Sequence, residues 1–281
     1  MPSIRCWTVD AFTNRPFGGN PAAVCWLENE APSHWMQAVA AEMNLSETAF
    51  VRRLPDGYEL RWFTPTMEVD LCGHATLATA HALWSSELVS PGESLRFRTR
   101  SGILTCRLAD DRMIELDFPA TPPTSIAAST ELSECLGLPV VEAGVSKFYQ
   151  LAVLESEQAV RACRPDFERM KQLPTLGVII TAPSDDPKFD IVSRFFAPAM
   201  GVNEDPVCGS AHCCLAPYWA AKLGKTVLRA YQASARGGIL HLTLQGDRVA
   251  LRGHAVTVWR GELLQESNAA ATASSIFDVI G

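Results

Sequence analysis

The chain repeats one of its own passages, and that repeat limits its architecture more than any other feature. Around residue 61 it reads RWFTPTMEVDLCGHATLATAHALW, and around residue 194 it reads RFFAPAMGVNEDPVCGSAHCCLAPYW. Arg61, Phe63, Pro65 and Met67 match Arg194, Phe196, Pro198 and Met200 at one constant offset. Cys72-Gly73 then matches Cys208-Gly209, with three extra residues in the second copy. Each copy runs from an aromatic strand-like stretch through a proline turn to Cys-Gly, then into an alanine-rich stretch ending in Trp. Such self-similarity predicts two related halves, each presenting one helix start.

The segments after both Cys-Gly pairs, HATLATAHALW and SAHCCLAPYWAAKLG, hold helix formers that are apolar nearly all round, so both helices should be buried. In the second, Ser210 is the expected N-cap and Gly224 the C-terminal stop, while Pro217 should kink the helix or adjust its packing. Around them lie alternating, strand-like segments such as IRCWTVDAF, ETAFVRRL, GYELRWF, MIELDF, LGVIITA and TVLRAYQAS. The pattern predicts sheets curled about a central helix, twice over. The expected boundary is the Pro/Thr/Ser cluster ATPPTSIAAST, giving one unit over 1–119 and another over 120–264. The segment from about 265 to 281 is expected to pack on the first unit, and the low-complexity SNAAATASS inside it to be disordered.

Composition excludes several function classes. With 47% apolar and 20% charged residues over 281 positions, the chain can bury a sizeable core. A formal charge of −7 argues against nucleic acid or an anionic membrane as the main partner. No apolar run approaches the roughly 20 residues that span a bilayer, and MPSIRCWTVDAF has no basic-then-apolar leader, so a cytoplasmic protein is expected. Nine cysteines without a CxxC pair make neither a disulfide framework nor a zinc site, so no metal is expected.

Two helix starts facing one cleft offer unpaired backbone N–H groups and positive dipole ends, suited to a substrate carboxylate or a developing enolate. Gly73 and Gly209 would let a ligand approach the backbone closely, or would satisfy an unusual turn. Two chemistries compete there. In one, Cys72 and Cys208 face each other across a substrate carbon, their thiol pKa values lowered by the helix N-termini. In the other, Glu47 in MNLSETAFV, set among Leu45, Ala49 and Phe50, is the acid/base, its protonated form favoured by apolar surroundings. His74, at the equivalent position to Ser210, is a donor or proton shuttle in either scheme, or a loop hydrogen bonder. Asn20 is a substrate ligand or a turn residue before Pro21. Arg236 in ARGG either orients a carboxylate or belongs to a hairpin turn.

Taken together, VDAFTNRPFGGNPAAVC, MNLSETAFV, RWFTPTMEVDLCGHATLATAHAL, RFFAPAMGVNEDPVCGSAH and QASARGG resemble the phenazine-biosynthesis PhzF-like protein family, in order, from residue 8 to about residue 260. The resemblance implies an α/β (α+β) protein of the diaminopimelate epimerase-like type. That fold has two pseudo-symmetric domains, each a curled, mostly antiparallel sheet or barrel around a central helix. It further implies a biosynthetic isomerase that uses no cofactor, forms a homodimer and acts on a small carboxylate-bearing metabolite between the domains. Carried over residue by residue, the proton-moving glutamate falls on Glu47. His74, Asp205 and Ser210 then fall in the substrate pocket, and Gly73 and Gly209 supply backbone amides. The chain departs from the phenazine enzyme in having cysteines at both Cys-Gly positions, as diaminopimelate epimerase does. The Cys72/Cys208 pair therefore stands as the alternative acid/base, and a non-catalytic binding protein on the same fold as a third reading.

Overall fold

The computed structural model describes residues 3–90 and 92–264, and the expectations for the 265–281 segment lie outside it. In the first half, strands β1 (Ser3–Ala11) and β2 (Asn20–Leu27) lead through helix α1 (Ser33–Met43) to β3 (Glu47–Leu54) and β4 (Gly57–Phe63). The short β5 (Glu68–Val69) precedes α2 (Gly73–Ser85), after which come β6 (Leu95–Thr99), β7 (Gly102–Leu108) and β8 (Ile114–Pro119). The second half opens with β9 (Thr124–Ile126), α3 (Thr130–Leu136), β10 (Glu142–Val145) and β11 (Tyr149–Val153). Helices α4 (Glu157–Ala162) and α5 (Phe167–Met170) then lead to β12 (Gly177–Pro183), β13 (Ile191–Ala197) and β14 (Val202–Asp205). It closes with α6 (Gly209–Leu223), β15 (Val227–Gln232), β16 (Gly238–Gln245), β17 (Arg248–Gly253) and β18 (Ala255–Leu264).

The pairing repeats itself. In the first half β1–β2 is antiparallel, β2–β3 parallel, β3–β4 antiparallel, β4–β6 parallel, and β6–β7–β8 antiparallel. In the second, β10–β11, β11–β12, β12–β13, β13–β15 and β15–β16–β17 follow the same series. The halves join where β8 pairs with β17. Their last strands are exchanged: β9 follows β8 but pairs with β10, and β18 follows β17 but pairs along the whole of β1. Residues 255–264, counted with the second unit on sequence grounds, thus complete the sheet of the first. A boundary drawn from local turn residues cannot register a strand that returns across the molecule.

The repeated Arg also explains itself. Arg61 reaches Glu68 through two bonds of 2.7 Å, and Arg194 reaches Glu204 through bonds of 2.7 and 2.9 Å. Each fork ties the end of an aromatic strand to the short strand that feeds the next helix, fixing where that helix begins.

Each sheet curls around its long helix. α2 packs against β1, β2, β3, β8 and β18, and α6 against β15, β16 and β17. Ten α2 residues from His74 to Trp84 are buried, as the all-round apolar pattern predicts. α6 runs through Pro217 and ends at Gly224 in the left-handed conformation. Its N-cap is Cys208 rather than Ser210: Cys208 has extended backbone angles and its sulfur accepts the Ala211 N–H. The Ser210 hydroxyl is engaged elsewhere, as described below. Among the described residues no helix is long and apolar enough to cross a membrane.

Candidate active site between the two helix starts

Helices α2 and α6 meet at their N-termini. A Cβ added to Gly73 would lie 3.8 Å from the Gly209 Cα, and one added to Gly209 would lie 3.3 Å from Leu251. Neither glycine has positive φ, so an unusual turn accounts for neither; a methyl group at Gly73 would meet only ordinary contacts, and one at Gly209 would press on the Leu251 side chain. The abutting starts concentrate two sets of unpaired N–H groups in one place.

The first half supplies three polar side chains. Glu47 starts β3, and its Oε2 lies 3.1 Å from Nε2 of the buried His74. That is an ion-pair distance, yet the geometry is not that of an aligned hydrogen bond, and both atoms remain buried without a satisfied partner. The apolar surroundings expected for Glu47 are thus replaced on this side by an imidazole. Burial opposes charging His74, but the facing charges of Cys72 and Glu47 outweigh it and raise its pKa well above the ordinary value. Asn20, wholly buried at the start of β2, is the third. Its Nδ2 donates to Asp205 Oδ1 at 2.6 Å and to the Val207 carbonyl at 3.0 Å, and lies 3.2 Å from His74 Nδ1. Its Oδ1 has no partner.

From the second half come Asp205, Ser210 and a residue the motifs do not flag, Tyr149. Asp205 sits at the end of β14 and also accepts the Val207 N–H. Burial pushes its carboxyl up to about 6, opposed by His74 and reinforced by Glu47. Ser210 Oγ lies 2.8 Å from the Tyr149 hydroxyl and 3.2 Å from Cys208 Sγ. Gln232 braces the group, accepting the Cys208 N–H and donating to the Asp205 carbonyl. Tyr149 stands in no motif; Gln232 opens the QASARGG segment, yet its role is not visible there, because each residue reaches the site only through strand register.

Both thiols correct the expectation of lowered pKa. Burial, reinforced by the Glu47 charge, pushes Cys72 up. Burial and the Asp205 charge push Cys208 well above the usual thiol range. A helix terminus contributes about 0.3–1 kcal/mol at an exposed site, too little to offset enclosure beside carboxylates. Of the two readings for Arg236, the turn is present: the Gly237 N–H donates to the Ser234 carbonyl. Its guanidinium is held by buried Asp10 at 2.7 Å and by the carbonyls of Gly18 and Gly19, so it pins the β1–β2 loop. His212 turns away, with Nδ1 2.7 Å from the Cys208 carbonyl and Nε2 3.4 Å from Ser193, and burial lowers its pKa to about 4. His81 lies 3.0 Å from the Thr257 hydroxyl, a structural role.

Among the described residues, Glu47, Cys72 and His74 alone bring three metal-capable side chains within 4.8 Å. The thiol faces Nδ1 at 3.5 Å while the carboxylate faces Nε2. An ion shared by all three would take one ring nitrogen and leave the ligand on the opposite side to reach around the imidazole.

Residues 9–261 match the family described as phenazine biosynthesis-like protein. An uncharacterized isomerase from Halalkalibacterium halodurans is 52% identical over 94% of this chain and 100% of its own length. The crystal structure of a PhzF-family phenazine biosynthesis protein from Enterococcus faecalis superposes with a TM-score of 0.90 at 44% identity, covering 94% of this chain and all of that one. A hydroxyproline epimerase from Agrobacterium vitis shares the fold at a TM-score of 0.61 and 11% identity, over 93% and 92% of the two chains.

Proposed function

The chain belongs to the phenazine biosynthesis-like protein family, and from that premise we propose that it is an isomerase moving a proton on a small carboxylate-bearing substrate, with Glu47 as the general acid/base. One observation carries this reading. Glu47 Oε2, His74 Nε2 and Asn20 Oδ1 are all buried without satisfied partners, beside two abutting helix N-termini. Buried polar atoms left unpaired each cost about 1–3 kcal/mol, and a ligand bridging them and the backbone amides recovers that.

In the proposed mechanism the substrate carboxylate rests on the N–H groups at Gly73 and Gly209 and on the Ser210 hydroxyl. Negative charge developing next to it is stabilised by the same dipoles. Glu47 removes a proton from the neighbouring carbon and returns it at a second position. His74 holds the carboxylate of Glu47 in place, and Asn20 and Asp205 hold the opposite side of the ligand. The raised pKa of both thiols favours Glu47 over the Cys72/Cys208 pair as the base.

The test is solvent exchange. A panel of small carboxylates is incubated in D2O and followed by NMR for deuterium at carbon. Exchange is expected with the wild type, lost in Glu47→Gln and largely kept in Cys72→Ser and Cys208→Ser. Full activity of Glu47→Gln, with loss in both cysteine variants, hands the chemistry to the thiols.

A further inference from the structure

Each half carries a row of three proton-bearing side chains ending on its cap cysteine. In the first, Glu47 meets His74 at 3.1 Å and His74 meets Cys72 at 3.5 Å. In the second, Tyr149 meets Ser210 at 2.8 Å and Ser210 meets Cys208 at 3.2 Å. The inner members are repeat equivalents; the outer ones leave different strands. Glu47 on β3 stands opposite Ala22 of β2, whereas in the second half Tyr149 of β11 stands opposite Gly177 of β12. The glycine makes this possible. A Cβ at Gly177 would come within 2.7 Å of the Phe195 ring, and that ring packs edge-on against Tyr149 with centroids 4.7 Å apart.

Counting hydrogens limits what the Ser210 hydroxyl can do. It has one hydrogen to give and two lone pairs to receive. Burial keeps the Tyr149 phenol protonated. Burial keeps the Cys208 thiol protonated too, while its sulfur already accepts the Ala211 N–H. In the arrangement where phenol and thiol both donate, the Ser210 oxygen is filled and its own hydrogen is left for a ligand at the paired helix starts.

We infer that Tyr149 is a positioning residue that commits the Ser210 hydroxyl to donate into the cleft, toward an anionic group held at the paired helix starts. The inference rests on the anion-binding reading above and adds a member to that site from outside every motif. Phe at this position keeps the ring against Phe195 and removes only the donor.

Acetate and benzoate serve as carboxylate probes, titrated by calorimetry against wild type, Tyr149→Phe, Ser210→Ala and the double variant, with melting midpoints recorded alongside. Tyr149→Phe is expected to weaken binding about 5–10-fold, the size of one hydrogen bond, at an unchanged midpoint. The double variant is expected to bind as Ser210→Ala does, since the phenol acts only through the serine. Unchanged affinity in Tyr149→Phe, or losses that add in the double variant, overturns the inference. A wild type that binds neither probe fails before any variant is compared, and that result removes the anion-binding reading itself.

Discussion

At equivalent places on the two half-sheets, the first half carries Glu47, Val69 and His74, and the second carries Gly177, Asp205 and Ser210. The backbone plan is shared down to the Arg–Glu fork and the Cys-Gly helix start, while the titratable groups are not. At the site, one half places the glutamate and the imidazole; the other places the Asp205 carboxylate and a hydroxyl row. Asn20 crosses between them, donating from β2 to Asp205 and Val207. Neither half is a site alone. The duplicated scaffold brings two helix dipoles to one point, and the divergence of its side chains makes the two faces of that point chemically different.

The sharpest way to break this comparison is at its most unequal position. Glu47→Gln is expected to lower solvent exchange about 10²–10⁴-fold, the range of general acid–base catalysis, with no loss of folding. A loss under 10-fold would mean that the two faces are chemically closer than their side chains suggest.

The shared fork gives the next largest effect, on stability. Arg194 also donates to the Val160 and Cys163 carbonyls, and the residue is only 8% exposed. Arg194→Met strands Glu204 and two carbonyls, and is expected to cost about 3–5 kcal/mol in urea unfolding. Arg61→Met leaves Glu68 paired with Arg100 at 2.8 Å, so about 1 kcal/mol is expected. Equal costs would show the forks to be interchangeable.

That contrast marks how far the sequence is legible. The fork residues, both Cys-Gly starts, Glu47 and the all-round apolar helices stand in local patterns, and local patterns report periodicity and turn chemistry. Asp205 as the acceptor for Asn20, Asp10 as the partner of Arg236, and Tyr149 as the partner of Ser210 are set by which strands lie side by side. No spacing within a segment encodes that. The exchanged β18 is the clearest case: its alternation marks a strand, but nothing in it names β1. The thiols mislead for a related reason, since a helix start is visible in sequence and the enclosure that outweighs it is not.

Gly177 offers a smaller and more local test. A methyl group there would meet the Phe195 ring at 2.7 Å and the Phe196 carbonyl at 2.8 Å, and the carbonyl belongs to a paired strand that cannot step aside. Gly177→Ala is expected to destabilise by about 1–3 kcal/mol and to displace Tyr149 from Ser210. Removing the side chain at the equivalent position, in Glu47→Ala, creates no clash and forfeits the contact with His74, so about 1 kcal/mol is expected. Tolerance of Gly177→Ala would mean that the second half has room for a side chain in Glu47's place.

A last contrast separates the halves by pH. Asp205 has a folded-state pKa raised from 3.8 to about 6, so the native state binds the extra proton between those values. Stability from this group is therefore full below about pH 4, falls as pH rises through 6 and is flat beyond, by about 3 kcal/mol. His74 is raised as well, so its contribution is full below its ordinary value of 6.5 and is lost only as pH climbs through the raised one. The second half should thus shed stability on the acid side of neutrality and the first half on the alkaline side. Urea midpoints measured from pH 4 to 9 should lose the acid-side slope in Asp205→Asn and the alkaline-side slope in His74→Gln. If one variant removes both slopes, the two groups titrate as a single unit through Asn20, and the division of charge between the halves gives way to one shared proton network.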